Sequence, residues 1–157
     1  ARIYPHEGGE TVTALEKVRE WLKTYPGYKQ LKALSVDATD PQPANGSVAP
    51  AGLVEISRRS DVLGNVTVTN QLNFTLYFVF AKAPDDDEGA EENAQWLMDF
   101  QDWVQAQSMT GKAPAFGDNK RRESVKAQNG TLYGADTDGC AVYSVQLSAQ
   151  YQKYFRK

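Results

Sequence analysis

The densest concentration of ionisable side chains in the sequence is KAPDDDEGAEENAQW, Lys82–Trp96. It holds Asp85, Asp86, Asp87, Glu88, Glu91 and Glu92. Carboxylates this close together could chelate a hard cation or act as an acid–base pair. A calcium loop of the helix–loop–helix type needs oxygen ligands at positions one, three and five, glycine at six and a bidentate glutamate at twelve. Counting from Asp85, position five is Gly89, six is Ala90 and twelve is Trp96. Starting at Asp86 or Asp87 does no better, so the ligand pattern fails. A helix start accounts for the same residues. Carboxylates in a first turn meet unpaired N–H groups and the positive end of the helix dipole, and Asp85, Asp86 or Asp87 is a ready N-cap.

The other reactive types are thinly spread. His6 is the only histidine and Cys140 the only cysteine, so no zinc-ligand spacing exists and no disulfide can form within the chain. Cys140 follows Asp138-Gly139 at a turn, away from any helix N-terminus that would lower its pKa. No Gly-x-Ser-x-Gly elbow is present, and neither Gly8-Gly9 nor Gly111-Lys112 has the strand–loop–helix setting of a phosphate loop. The residues therefore frame no catalytic set, no metal site and no cofactor. Lys120, Arg121 and Arg122 form a basic trio. Neutralising three phosphates would give weak, salt-sensitive binding, and the net charge of −3 adds no general pull toward nucleic acid or anionic lipid. No apolar run approaches the roughly 18 residues of a membrane span.

These groups need a scaffold, and 157 residues suit one domain. Apolar residues at Val12, Leu15, Val18 and Leu22 predict an amphipathic helix over 10–24, ended by Tyr25-Pro26-Gly27. Residues 30–36 read as a short strand. With three prolines and two glycines, 38–52 reads as a long loop. Strands follow at 52–60 and 66–80, with a turn around Asp61–Asn65 between them. In the second, Val66, Val68, Leu72, Phe74, Leu76, Phe78 and Phe80 share one face. That strand is far longer than the usual five or six residues, and is expected to bend or to project as an arm beyond the core. A second helix over 88–108 carries Trp96, Leu97, Phe100, Trp103 and Val104 on one stripe, and breaks near Gly111 and Pro114. Residues 122–135 form a strand in which Asn129-Gly130 is either a bulge that flips the face or a hairpin turn. A turn at 136–139 leads to the last strand, 140–155, with Ala141, Tyr143, Val145, Leu147, Ala149 and Tyr151 facing the core. The sum is an α+β fold: an antiparallel sheet with two helices packed on one face.

The opposite faces of the long strands are rich in Thr, Gln, Asn and Ser and nearly uncharged. Thr67, Thr69, Gln71, Asn73 and Thr75 lie together on one of them. A solvated face usually carries lysine and glutamate, which also discourage edge pairing. An uncharged hydrogen-bonding β surface suits an assembly interface.

FVFAKA (78–83), the acidic helix, and AQNGTLYGADTDGCAVYSVQLSAQY (127–151) together resemble a family of small minor capsid proteins from phages and prophages of Gram-positive bacteria, of the tail-terminator kind. The resemblance runs through residues 78–155 and rests on Phe80-Ala81, Phe100, Trp103, Gln107, Gly111, Pro114, Gly117, Gly130, Leu132, Asp136, Tyr143 and Tyr151. It implies an α+β fold and a ring, typically a hexamer, at the head-proximal end of the tail tube. Such a ring stops tube polymerisation and offers a docking surface for head completion. No catalytic residue comes with it.

The expectation is thus a non-enzymatic virion protein, made in the host cytoplasm. Its partners would be further copies of itself, the tail tube protein and a head-completion or connector protein, with no membrane and no sequence-specific nucleic acid. The strand face 67–75 is the expected contact between copies. Asp85, Asp86, Asp87, Glu88, Lys120, Arg121 and Arg122 are the expected charged, partner-facing groups, and the loops 38–51 and 111–122 are expected to face tube or head. A head–tail connector or neck protein is the alternative, followed by a metal-dependent enzyme using the acidic cluster and a nucleic-acid module using Lys120–Arg122.

Overall fold

The computed structural model describes residues 13–31, 33–36, 45–81, 87–135 and 139–157. Their elements, in order, are helix α1 (Ala14–Leu22), a 3-10 turn (Pro26–Gln30), strands β1 (Ala33–Val36), β2 (Asn45–Ser60) and β3 (Val66–Ala81), helix α2 (Asp87–Met109), a second 3-10 turn (Lys120–Arg122), and strands β4 (Ser124–Ala135) and β5 (Cys140–Phe155). The strands form one sheet in the order β1-β2-β3-β5-β4. The fold is α+β, as the alternation and the two helical stripes imply.

The sheet is antiparallel through its four long strands, but β1 pairs with β2 in parallel, from Ala33↔Asn45 to Val36↔Val48. The purely antiparallel expectation is corrected to a mixed sheet. A four-residue edge strand has the same alternation read in either direction, so its sense is not written in its residue types.

A second correction concerns residues 45–52, which are expected in a loop but form the first half of β2. Pro50 has no N–H to give a ladder, and is tolerated at sheet edges. The β1 pairing stops at Val48, so Pro50 lies where β2 has become the edge. Gly52, at φ +96°, sits in the register shift between Pro50 and Leu53, a bulge that only glycine enters without strain. Asn129-Gly130 resolves the same way. Asn129 has φ +58°, and β4 shifts register between Gln128 and Thr131. The shift moves the inward position from Val125 and Ala127, opposite Ala149 and Leu147, to Leu132, opposite Tyr143.

Helix α1 begins one residue after Thr13, whose Oγ1 accepts from Glu16 N–H at 3.1 Å; residues 10–12 of the expected helix lie outside the described residues. Helix α2 buries Trp96, Leu97, Phe100 and Val104 and packs along β4. Gln101 Nε2 clamps the two together by donating to the Ala127 carbonyl at 3.0 Å. Helix α1 joins the same core through Trp21, stacked on Trp103 at 5.0 Å between ring centroids. Tyr25 meets Trp96, Phe100 and Trp103 within 5.2–5.4 Å. Both buried indoles are satisfied, Trp21 Nε1 donating to Gln107 Oε1 and Trp96 Nε1 to the Gly27 carbonyl. From the sheet, Phe74, Leu76, Phe78 and Phe80 of β3 and Ala141, Tyr143, Val145, Leu147 and Ala149 of β5 complete the core.

Candidate assembly surface

Thr67, Thr69, Gln71, Asn73 and Thr75 do share a face, on β3 opposite the core residues. Their neighbours across the ladder are Tyr154, Gln152, Gln150, Ser148 and Gln146 of β5. None of these ten side chains is charged. They are half-buried or exposed, and part of the row is knitted together: Gln71 Nε2 donates to Asn73 Oδ1 at 2.8 Å, and Gln150 Nε2 donates to Gln71 Oε1 at 2.9 Å. A shallow depression of about 300 Å³ lies over Asn73, Gln128, Thr131, Ser144, Gln146 and Ser148. At the far end, the rings of Tyr77 and the exposed Tyr133 meet edge-on at 5.4 Å. This surface offers amide and hydroxyl hydrogen-bonding groups, with charge only on its flanking strands, at Arg59 opposite Thr67 and Lys126 opposite Ser148.

The second feature is the free end of the sheet. The core cluster reaches Leu72 on β3, and Val66 and Val68 lie outside it. From Leu72 to Val66 the strand runs about 20 Å at the usual rise. The arm is three-stranded, because β5 stays paired with β3 as far as Val66↔Phe155. Every residue of β2 from Pro50 to Ser60 is exposed. Among them, Leu53, Val54 and Ile56 expose about half their surface, and Phe155 is 58% exposed. Leu53, Val66, Val68 and Phe155, with the Glu55–Arg58 ion pair, line a groove of about 500 Å³.

The tip of the arm is firmly built. Asp61 Oδ1 accepts from the N–H groups of Leu63 (2.9 Å) and Asn65 (3.0 Å), and its Oδ2 accepts from Asn65 Nδ2 (3.1 Å). The Asn65 amide and these N–H groups hold the Asp61 carboxyl below the usual carboxylate range. Gly64 closes the turn at φ +85°, and Asn65 Oδ1 accepts from Lys157 N–H, tying in the end of the chain. The turn thereby presents Val62 and Leu63 to solvent, 102% and 76% exposed. Sequence reasoning offers the arm as one of two outcomes for the long strand, but not its apolar tip. The signal was available: Val62-Leu63 sits between Asp61 and Gly64, where turn chemistry calls for polar residues.

The charged candidates separate. Asp87 and Glu88 occupy the exposed first turn of α2, as a helix-start role requires, while Asp85 and Asp86 lie outside the described residues. Among the described residues no three His, Cys, Asp or Glu side chains are grouped to hold a metal ion. His6 also lies outside the described residues; Cys140 is buried at the start of β5. Lys120, Arg121 and Arg122 form the exposed 3-10 turn before β4, capped by Asn119 Oδ1, which accepts from Arg121 N–H. Of the loops expected to face partners, 38–51 divides, with 38–44 outside the described residues and 45–51 in β2, and 111–122 runs from the end of α2 through that turn. Among the described residues no helix is long and apolar enough to cross a membrane.

Comparison of the chain with protein-family models gives no match, and comparison with curated proteins gives none either. Several of the residues that carry the phage-protein resemblance have structural roles in this fold, while Asp136 lies outside the described residues and Leu132 is about half exposed. Gln107 accepts the Trp21 indole and its carbonyl accepts from Lys112 N–H, with Gly111 at φ +72° closing the helix. Gly117 lies so close to β5 that a Cβ would come within 2.3 Å of the Gln152 carbonyl oxygen. Phe116 beside it packs on Tyr151 at 5.9 Å.

Proposed function

We propose that this protein is a non-enzymatic virion assembly component of the tail-terminator kind. Copies of the chain close into a ring on the head-proximal end of a tail tube, stop its growth and present a surface for head joining. The observation that carries the self-association is the arm: three paired strands reaching past the core, with Leu53, Val54 and Ile56 of β2 half exposed and Val62 and Leu63 held outward by the Asp61 turn. Contiguous exposed apolar surface on a soluble fold marks an interaction site. A preorganised tip lowers the entropy lost on docking. The uncharged face at Thr67–Thr75 supplies a second surface of the kind that packs against protein. The choice of a phage tail is supported by the resemblance over residues 78–155, with which the α+β fold agrees.

Sedimentation and negative-stain imaging test this reading. The wild-type chain is expected to form closed rings, alone or on tail tubes, and to cap tube growth when added to polymerising tube protein. V62E/L63E is expected to remain folded and to lose both properties. A chain that stays monomeric at all concentrations and leaves tube length unchanged overturns the proposal.

A further inference from the structure

Helix α2 is charged on one sign only. It carries Asp87, Glu88, Glu91, Glu92, Asp99 and Asp102 and no lysine or arginine. Four of the six acids, all exposed, fall in its first two turns. At 1.5 Å per residue, its 23 residues place its other end about 34 Å away. There the charge reverses: Lys120, Arg121, Arg122 and Lys126 are exposed within seven residues of chain. The acids among them are occupied. Glu123 accepts from the N–H groups of Phe116 and Gly117, and nearby Asp118 accepts from Tyr154 N–H. Among the described residues none of the four cations has an ion-pair partner.

A groove of about 490 Å³ opens at this basic end. Gln101, Gln105 and Met109 of α2 form one wall, the free edge of β4 at Lys126 and Gln128 forms the other, and Arg121 stands at it. Because β4 is the last strand of the sheet, its outer edge has no strand partner among the described residues. Cations beside an edge discourage strand addition and attract carboxylates, so an acidic helix end fits the groove better than a further strand. Nucleic acid fits it less well, since the net charge of −3 gives the chain no general pull toward phosphate.

We infer that this groove docks a second copy of the chain, taking the acidic first turns of the neighbour's α2 against Lys120, Arg121, Arg122 and Lys126. Four carboxylates then face four cations. The two surfaces differ and lie at opposite ends of one helix, so the contact is heterologous: it repeats from copy to copy and either closes into a ring or grows as a filament. This inference rests on the self-association proposed above and assigns its head-to-tail junction.

The test is sedimentation of R121E/K126E, of E91K/E92K, and of the chain carrying all four substitutions, with circular dichroism to confirm folding. Like charges facing each other across an interface disfavour it strongly, so each double reversal is expected to weaken association about a hundredfold. The fourfold variant, with the charges exchanged, is expected to recover it, and wild-type association is expected to fall with added salt. Unchanged association in both double variants, or no recovery in a folded fourfold variant, overturns this junction while leaving self-association standing. A wild-type chain that is monomeric throughout removes both. Retention of a single- or double-stranded oligonucleotide that is lost in R121E/K126E, with self-association unaltered, assigns the groove to nucleic acid and overturns the junction as well.

Discussion

Strand β3 passes through two environments, and Asn70 is the one polar residue on its inward face. From Leu72 to Phe80 its inward side chains join the core, where Phe78 and Phe80 meet Trp96 of α2, and Phe74, Leu76 and Phe78 are all but fully buried. From Val66 to Gln71 the inward row is Val66, Val68 and Asn70, of which Val68 is buried, and it lines an open groove beside Leu53 and Phe155. One half of the strand is a domain core and the other one wall of an open groove that mixes apolar residues with Asn70, Glu55 and Arg58. Alternation therefore specifies which face is apolar and is silent on what covers it. The cover comes from chain elsewhere: α2 over one half and, on the proposed reading, another protein over the other.

Substitution in the two halves should separate them sharply. Phe100 is 1% exposed and touches Tyr25, Phe78, Trp96 and Trp103. Phe100→Ala is expected to cost about 3–5 kcal/mol in denaturant titration, enough to unfold many domains. Ile56→Ala, on the exposed arm, is expected to stay within about 0.5 kcal/mol. An arm substitution as costly as the core one would show that the arm is part of the monomer's stability and not a free surface.

A second contrast lies in alkaline solution. Burial first, and the Asp99 charge second, raise the Tyr25 hydroxyl from 10.0 to about 12. The fold therefore favours the neutral phenol. Its contribution is fully present below pH 10 and is lost as pH rises toward 12. Tyr25→Phe removes the hydrogen bond to the Trp96 carbonyl, a long one at 3.3 Å. It is expected to cost about 0.5–1.5 kcal/mol at neutral pH and to flatten the decline between pH 10 and 12. Wild-type and variant curves that fall in parallel would place the sensitive group elsewhere.

Glycines sharpen the comparison further. At Gly117 a Cβ would meet the Gln152 backbone oxygen and neither main chain can easily yield, so Gly117→Ala is expected to cost about 1–3 kcal/mol. At Gly134 nothing lies within 4 Å, and Gly134→Ala is expected to change stability by a few tenths of a kcal/mol. Melting temperatures of the two variants would check the difference.

The legibility of the sequence follows the same division. The inward row of β5 from Ala141 to Tyr151 and the stripe Trp96–Val104 could be read from spacing, because burial imposes a period and each residue reports its own side. The start of β2 could not. Pro50 and Gly52 are loop residues by composition, and only the end of β1 at Val36 makes the proline harmless. The parallel sense of β1 was hidden for a related reason, since pairing direction belongs to two segments and not to one. The assembly surface was half legible. Thr67 to Thr75 stand out by their missing charge, whereas Val62 and Leu63 gain meaning only once the Asp61 turn shows them pointing outward.

The smallest expected effect concerns that turn. Asn65, first through its side chain and then through its backbone, and the N–H groups of Leu63 and Gly64 keep the Asp61 carboxylate charged below its ordinary pKa. A depressed carboxyl stabilises the folded turn above the unfolded value of about 4 and loses that contribution as pH falls through the folded value. Because Asp61 is solvent-exposed, the global melting temperature should hardly move. The local signature should be clear: the Leu63 and Asn65 amides exchange faster with solvent as pH falls through the acid range, once the intrinsic exchange rate is divided out. Asp61→Asn keeps hydrogen-bond acceptance at one oxygen but not at both, and should remove the pH dependence while leaving the strand amides of β3 protected. If the apolar tip does dock a partner, acidification and Asp61→Asn should weaken that docking together, through the disorder of Val62 and Leu63 alone.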